Sequence, residues 1–317
     1  MNLIDKQNSL VIDVTYNCNA KCIYCQWGND KTSGRVNQPD NYIYISKDTL
    51  RHLKTQRIIF SGGEPLLRKD LEQIISYYRN KVQSIIILTN GFLLTEKRLR
   101  KLVDSGLTGI TFSIDSFENH IAFETRAYSK QQVEKVKANF IRTCLLKSKL
   151  NIEIGINVVV SAANIKNNQI ENFIDFLNLF SLDWIKFQPI FDDDDYVNVN
   201  APHLLLSSVH SKIIRTIGKN ILNRTTIKTN SINFWKSLSD ILDGKKLQGE
   251  SCDLASRQAI AQRGKIKICS WIGFPTYDIT KRPISETQRE FEIIKTTCKT
   301  GTFCYCLQNL SHTWKII

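Results

Sequence analysis

The sequence has no apolar run that approaches the length of a membrane-spanning helix, and its first residues lack the basic-then-apolar pattern of a secretory signal. It also has no internal repeat and no low-complexity segment, which argues against a solenoid or a linker-like protein. Hydrophobic residues make up 42% of the 317 residues and charged residues 23%, as in ordinary globular proteins. We therefore expect a cytoplasmic protein with one large domain, or one domain and a smaller appendage.

Acidic residues are scarce relative to basic ones. Asp and Glu total 30 against 43 Lys and Arg, which gives a net charge of +13. The basic residues are spread along the whole chain. Their excess fits either a generally basic composition or a positive field that favours an anionic partner, such as an acidic peptide, a phosphorylated metabolite or RNA. Because no RNA-binding module is recognisable, nucleic acid is the least favoured of these partners.

Cysteine, by contrast, is plentiful. Of nine cysteines, three lie close together near the start, five lie in the last quarter, and Cys144 stands alone. A cytosolic chain rarely uses cysteines for disulfides, so clustered cysteines indicate metal binding or catalysis. The clustered residues are Cys18, Cys22, Cys25, Cys252, Cys269, Cys298, Cys304 and Cys306. This distribution predicts two metal sites, and a packed core thiol at Cys144, which lies in a helical segment.

Short apolar runs alternate with amphipathic segments over the first two-thirds of the chain. The predicted strands are residues 10–15, 57–61, 84–89, 109–114, 152–160 and 184–189, and the predicted helices include residues 70–79, 96–104, 130–147 and 168–179. This repeated order predicts an α/β fold with parallel strands and right-handed crossovers. An open doubly wound sheet and a full or partial barrel both satisfy it, and both gather reactive groups at the carboxyl ends of the strands.

The most distinctive residues follow the predicted strands. The cysteine loop comes after the first strand, and further motifs end the second, third and fourth strands. In chain order, these motifs are Gly62-Gly63-Glu64-Pro65, Thr89-Asn90-Gly91, and Ser113 with Asp115. The pattern predicts an active face at one edge of the sheet.

The cysteine loop has three residues between Cys18 and Cys22 and two between Cys22 and Cys25. Three thiolates can ligate three irons of a four-iron cubane and leave the fourth iron without a protein ligand. A structural zinc site normally takes four protein ligands, and no further Cys or His follows closely. The loop therefore predicts an iron–sulfur cluster whose open iron can chelate the amino and carboxylate groups of a methionine moiety.

This loop, with Tyr24 just before its last cysteine, and the GGEP tetrapeptide that follows the second strand resemble the motifs of the radical S-adenosylmethionine (SAM) superfamily. The resemblance implies a partial (β/α)6 TIM-like barrel over roughly residues 8–200. It also implies a [4Fe–4S] cluster that binds SAM, and a 5′-deoxyadenosyl radical that abstracts hydrogen from a substrate carbon. An external one-electron reductant of the flavodoxin or ferredoxin type is implied as a partner.

The same resemblance implies a set of SAM contacts. The GGEP backbone and Glu64 are expected at the methionyl amino group, and Tyr24 beside the adenine. Ribose and carboxylate contacts are implied at Asn90, Ser113, Asp115, Arg126, Ser161 and Asn164. Individually, these residues also fit ordinary structural roles, such as a turn at Asn90-Gly91 or a surface ion pair at Arg126.

The spacing from Cys252 through Gly264 to Cys269 resembles the start of the SPASM and twitch domains that follow many radical SAM cores. Cys298, Cys304 and Cys306 offer further ligands, and the favoured set is Cys252, Cys269 and Cys306 with one of the other two. This implies one auxiliary [4Fe–4S] cluster. The resulting organisation is a radical SAM core (1–200), a helical connector (201–243) and a small, irregular, cysteine-rich cluster-binding domain (244–317).

Proteins with such C-terminal domains most often resemble peptide-modifying enzymes. The expected function is therefore the modification of a ribosomally made peptide by crosslinking, epimerisation or oxidation. About seventeen residues precede Cys18, too few for an N-terminal leader-recognition module, so a separate binding protein or direct docking is expected.

The alternative is an oxidoreductase or epimerase that acts on a small molecule such as an aminoglycoside or a nucleoside. Four aspartates at 192–195 follow the sixth strand, where they would either hold a cationic group or form a solvated loop. A simple iron–sulfur electron carrier is disfavoured, because a carrier needs no vacant iron.

Overall fold

The computed structural model describes residues 8–25, 43–190, 201–245, 258–262, 265–267 and 277–278. The aspartates at 192–195 lie outside the described residues, as do Cys252, Cys269, Cys298, Cys304 and Cys306. No helix within the described ranges is long and apolar enough to cross a membrane.

Six parallel strands form where the apolar runs predict them. Their bounds are β1 (Ser9–Thr15), β2 (Arg57–Gly62), β3 (Ser84–Thr89), β4 (Gly109–Ser113), β5 (Glu153–Val160) and β6 (Trp184–Pro189). A two-residue strand, β7 (Lys228–Thr229), pairs in parallel with β6. These seven strands follow one another across the sheet in chain order, which confirms the predicted α/β fold.

Three further strands extend the sheet beyond β1. Strand β8 (Gln258–Gln262) pairs in parallel with β1, while β9 (Lys265–Lys267) and β10 (Tyr277–Asp278) continue the sheet in antiparallel pairs. Residues 258–262 therefore share a sheet with the strand that leads into the cysteine loop.

Helices connect the strands and have recognisable capping signals. Their bounds are α1 (Lys47–His52), α2 (Leu71–Tyr78), α3 (Glu96–Asp104), α4 (Asn119–Arg126), α5 (Lys130–Leu150), α6 (Gln169–Leu177), α7 (Ser211–Arg224) and α8 (Ile232–Leu242). Helix α5 begins with a capping box between Ser129 and Gln132 and ends at Asn151, which adopts a left-handed conformation. Helices α2, α3, α5 and α6 lie at the predicted positions.

Alternate residues of each strand point to opposite faces of the sheet. On the outer face, Ile12, Phe60, Ile87 and Ile110 are paired in register and fully buried against the helix layer. The inner face carries more polar side chains, including Ser113, which faces away from that core.

The sheet curves around this inner face. Arg57 on β2 and Glu153 on β5 form an ion pair at 3.8 Å, although β3 and β4 lie between them. In a flat sheet the two strands would be about 14 Å apart. Because side chains stand roughly perpendicular to a sheet, the ion pair requires the sheet to bend inward. The curved parallel sheet with its outer helices is the predicted partial TIM-like barrel.

Residues 201–245 are mostly helical and pack beside the last parallel strands. Helices α7 and α8 approach closely at Gly218, where a Cβ atom would lie 2.3 Å from the Trp235 side chain. Asn220 of α7 donates a hydrogen bond of 3.0 Å to Glu171 of α6. The helical pair is thereby joined to the barrel's outer layer.

Candidate functional site

The motifs singled out in the sequence meet at one edge of the barrel. The cysteine loop follows β1, the glycine pair ends β2, Thr89 and Asn90 end β3, and Asp115 lies just beyond β4. Since β1 to β4 are parallel neighbours, their carboxyl ends share this edge. We refer to these converging residues as the strand-end site.

The cysteine loop is held by three backbone hydrogen bonds, two from the end of β2 and one to α4. The Gly63 N–H donates to Thr15 at 2.7 Å, the Glu64 N–H to Asn17 at 2.8 Å, and the Ile23 N–H to the Thr125 carbonyl at 2.9 Å. The ends of β2 and α4 therefore position the loop.

The glycine pair is required by this close approach. A Cβ atom at Gly62 would lie 2.2 Å from the Thr15 carbonyl oxygen, and one at Gly63 would lie 2.2 Å from that of Asn17. Gly62 also has a φ of +110°, which residues with side chains rarely adopt. Any side chain at these positions would push the cysteine loop away from β2.

Glu64 joins the ends of β2 and β3. Its buried carboxylate accepts hydrogen bonds from the Leu66 N–H at 3.0 Å, the Thr89 hydroxyl at 2.8 Å and the Asn90 N–H at 2.8 Å. Burial raises the pKa of Glu64, and these three donors oppose the shift. Pro65 occupies the first position of the 3₁₀ helix Pro65–Leu67, which follows directly.

Asn90 reaches back to the cysteine loop. Its side-chain amide donates to Asn19 at 2.8 Å and lies 3.9 Å from the Cys18 sulfur. The sequence alone did not single out Asn19, although its place between two cysteines is a signal that could have done so.

Asp115 is the centre of a buried polar network. Its carboxylate accepts two hydrogen bonds from Arg126, at 2.7 and 2.8 Å, one from the Tyr24 hydroxyl at 2.8 Å, and one from the Val159 N–H at 2.9 Å. The side chain of Asp115 is 1% exposed and that of Arg126 is 6% exposed. We call Tyr24, Asp115 and Arg126 the Asp115 network.

The third nitrogen of Arg126 points to the cysteine loop, with Nη1 3.7 Å from the Cys22 sulfur. The guanidinium also lies 5.7 Å from the centre of the Tyr24 ring. Burial would lower the pKa of Arg126, but the adjoining Asp115 carboxylate raises it well above its ordinary value. A permanent positive charge therefore lies beside a candidate thiolate ligand.

The three thiols fit a cluster better than a single metal ion. Within the residues that the structure describes, no three His, Cys, Asp or Glu side chains are arranged to hold one ion. In a cubane, each thiolate binds a different iron, so Cys18, Cys22 and Cys25 need not converge. Burial raises the pKa of Cys22 to about 11, and ligation would deprotonate it, with Arg126 stabilising the thiolate.

The remaining predicted contacts lie at the ends of β4 and β5. Ser113 lies on the inner face at the end of β4. Beyond β5, the buried Ser161 donates its N–H to the Asn164 side chain at 2.9 Å, and Asn164 donates to the Val159 carbonyl at 2.8 Å. Cys144 lies far along the chain on α5, half-buried against the core.

Residues 12–146 match the family model described as the Radical SAM superfamily. The match supports that superfamily for this chain. It implies a [4Fe–4S] cluster and SAM as cofactors, and the cysteine loop beside Arg126 provides a donor set that fits them.

A relative from Methanococcus maripaludis named "Probable GTP 3′,8-cyclase" is 39% identical over 112 residues, which cover 35% of this chain. The chain spans only 37% of the length of that relative.

Two solved structures share the fold. Streptococcus suis SuiB bound to its precursor peptide SuiA has a TM-score of 0.64 at 15% identity, covering 90% of this chain and 66% of SuiB. The protein anSMEcpe with bound AdoMet and Cp18Cys peptide has a TM-score of 0.60 at 18% identity, covering 94% of this chain and 87% of anSMEcpe.

Proposed function

We propose that this chain is a radical SAM enzyme that abstracts hydrogen from a carbon of a ribosomally made peptide, leading to a crosslink, an epimerisation or an oxidation. The observation that carries the enzymatic part is the strand-end site, where a three-cysteine loop, a glycine pair and the Asp115 network meet. When bound, the cluster and SAM supply a reductively generated 5′-deoxyadenosyl radical.

The protein's own residues hold and orient these cofactors. Cys18, Cys22 and Cys25 ligate the cluster, while Asn90 and Arg126 place N–H groups near two of the sulfurs. Hydrogen bonds and charge near cluster sulfurs set the reduction potential. We propose that Asn90 and Arg126 ease the entry of an electron from an external reductant.

The predicted SAM contacts differ in how far protein hydrogen bonds already occupy them. Glu64 already accepts three protein hydrogen bonds, so we propose that the backbone carbonyls of Gly62 and Gly63 also receive the methionyl amino group. Tyr24 has its hydroxyl held by Asp115, which leaves its ring for the adenine. Ser113 and Ser161 remain candidate contacts for the ribose and carboxylate.

A peptide substrate is supported by the extent of the structural likeness. SuiB and anSMEcpe, whose structures contain peptides, align with 90% and 94% of this chain. The likeness therefore extends well beyond residues 12–146, the part matched by the superfamily.

A small-molecule substrate is the second candidate, and the sequence relatives favour it. The relative named as a GTP cyclase is 39% identical, against 15% and 18% for the two solved structures, but that match covers only 35% of this chain. A nucleotide or another phosphorylated metabolite would also suit the basic charge balance.

We also propose an auxiliary [4Fe–4S] cluster in a twitch-like domain at 244–317, ligated from among Cys252, Cys269, Cys298, Cys304 and Cys306. The radical SAM core would then occupy 1–200 and the helical connector 201–243. Iron and labile sulfide are measured after anaerobic reconstitution. About eight irons per chain in the wild type and about four in a Cys18/Cys22/Cys25→Ala triple variant are expected. About four irons falling to none would refute the auxiliary cluster alone.

SAM cleavage tests the enzymatic proposal directly. Reconstituted protein with dithionite and SAM is expected to release 5′-deoxyadenosine, and Cys22→Ala should reduce the release to background. Cys144→Ala is the matched control, because it removes a half-buried thiol outside the strand-end site and should leave cleavage intact. Sustained cleavage by Cys22→Ala would show that the loop does not hold the SAM-binding cluster.

A further inference from the structure

The C-terminal end of α4 carries a second tyrosine toward the cysteine loop, Tyr128. Ala127 adopts a left-handed conformation with a φ of 53°, and the Tyr128 N–H closes the turn by donating to the Ala122 carbonyl at 3.2 Å. In the last turn of the same helix, the Thr125 carbonyl accepts the hydrogen bond from Ile23 of the cysteine loop. The turn therefore joins Tyr128 to the helix end that holds the loop.

Packing fixes the ring of Tyr128. The residue is 5% exposed, and its ring packs against that of Phe92 with the ring centres 4.7 Å apart. Phe92 lies in the loop after β3, where its N–H donates to the Asn90 side chain at 3.0 Å. Asn90 in turn donates to Asn19 of the cysteine loop. Tyr128 therefore lies between two segments, the end of α4 and the loop after β3, that both contact the cysteine loop.

The Tyr128 hydroxyl is close enough to Arg126 and Cys22 for their charges to act on it. Burial raises the pKa of Tyr128, the positive charge of Arg126 opposes that shift, and a negative charge on Cys22 adds to it. Because burial has the largest effect, the net shift is upward and the hydroxyl keeps its proton. Tyr128 is thus available as a hydrogen-bond donor beside a candidate cluster ligand.

This donor lacks an acceptor. The buried Tyr128 hydroxyl has no hydrogen-bond partner in the part of the chain that the structure describes. Arg126 can only donate, so it offers nothing to the hydroxyl proton. The Asp115 carboxylate already accepts four hydrogen bonds, about as many as its lone pairs allow. A buried donor left unpaired is costly, and the other acceptors on this side of the strand-end site are sulfurs.

We propose that the Tyr128 hydroxyl donates a hydrogen bond to a sulfur of the cluster held by the cysteine loop and thereby raises its reduction potential. This inference rests on the proposed function, which places a four-iron cluster on Cys18, Cys22 and Cys25. A hydrogen bond to a cluster sulfur stabilises the reduced state, because that state carries the more negative charge. Tyr128 would act together with Asn90 and Arg126, from the α4 side of the loop.

Tyr128→Phe removes the hydroxyl and keeps the ring, so it tests the hydrogen bond alone. The reduction potential is measured without SAM on the full-length, reconstituted protein, by a redox titration followed by electron paramagnetic resonance. The signal to follow is the one that the Cys18/Cys22/Cys25→Ala variant lacks, which separates this cluster from an auxiliary one. Loss of the hydrogen bond should reduce the equilibrium constant for one-electron reduction by about tenfold, which corresponds to a potential about 59 mV lower.

The matched control is Tyr78→Phe on α2. Tyr78 is also buried, but its hydroxyl donates to the Ile43 carbonyl and accepts from the Ile45 N–H at 2.9 Å. Tyr78→Phe should therefore lower the urea midpoint of the cluster-free protein and leave the reduction potential unchanged. Tyr128→Phe should show the opposite pattern, with a lower potential but no loss of stability in the cluster-free protein, because its hydroxyl gains its partner only from the cluster.

An unchanged reduction potential in Tyr128→Phe would overturn the inference. A loss of stability in cluster-free Tyr128→Phe as large as that in Tyr78→Phe would also overturn it, because the hydroxyl would then have an acceptor within the protein. A weaker affinity for SAM with an unchanged potential would assign the acceptor to SAM, again against the inference. Cleavage of SAM by the wild type, measured in the same preparation, reports separately on the proposed function, which can hold while the inference fails.

Discussion

The Asp115 network allows a test of how burial changes the contribution of an ion pair to the free energy of unfolding. Asp115 and Arg126 are joined by two short hydrogen bonds and are 1% and 6% exposed, respectively. Asp115→Asn keeps the shape of the side chain but removes its charge, and it turns an amide donor toward groups that are themselves donors. Arg126 would then be a buried cation without its carboxylate partner.

Removing one partner of a buried ion pair costs about 3–5 kcal/mol. For a chain of this size, each kcal/mol corresponds to roughly 2 °C in Tm, so a decrease of about 6–10 °C is expected. The matched control is Asp240→Asn, because Asp240 also pairs with an arginine at 2.7 Å, but the two side chains are 42% and 31% exposed. Exposed pairs contribute about 0–1 kcal/mol, so the control should lower Tm by about 2 °C at most.

The assay is thermal and urea denaturation of the cluster-free protein under anaerobic, reducing conditions, followed by far-UV circular dichroism. Adding Arg126→Met to Asp115→Asn should restore part of the lost free energy of unfolding, because the double variant no longer contains the unpaired buried cation. If Asp115→Asn and Asp240→Asn destabilised the protein equally, the burial argument would be refuted. The same result would contradict the description of Asp115 as the centre of a buried polar network.

Three further predictions follow from individual contacts. Gly63→Ala should displace the cysteine loop and lower the iron content after reconstitution, because the new Cβ atom would overlap the Asn17 carbonyl. Gly244→Ala is the control, since a Cβ atom there meets no other atom within 4 Å, and it should leave the iron content unchanged. Burial lowers the pKa of Lys186 to about 7, whereas an unfolded lysine titrates at about 10.4. The free energy of unfolding of the wild type should therefore increase relative to that of Lys186→Met as pH rises from about 7 toward about 10.4. Urea titrations at several pH values would detect this trend. Thr89→Val should destabilise the apoprotein by about 1–3 kcal/mol in the same assay, because it removes one of the three donors to the buried Glu64 carboxylate. A free energy of unfolding equal to that of the wild type would contradict that role.

The parallel core was predictable because its signals are local. Each of β1 to β6 has its own apolar run, and helix α5 begins and ends with recognisable caps at Ser129 and Asn151. The position of the cysteine loop after the first strand was also predictable from the sequence. The pairing of β8 with β1 was not predicted, because a five-residue strand gives no indication of its neighbour in a sheet.

The roles of individual site residues were harder to predict. Arg126 could have been a surface ion-pair partner in the sequence, whereas the structure buries it between Asp115 and Cys22. Glu64 was expected at a ligand, whereas the structure shows its carboxylate also joining β2 to β3.

The sequence by itself determined the order of β1 to β6 along the chain, the three-cysteine loop and the glycine pair, since spacing and periodicity along the chain suffice for these. Only the tertiary structure decided that Tyr24 meets Asp115 across 91 residues and that Cys22 meets Arg126 across 104. Such contacts depend on which strands are neighbours in the sheet and on the curvature of the sheet. These are properties of the whole curved sheet, and no single segment determines them.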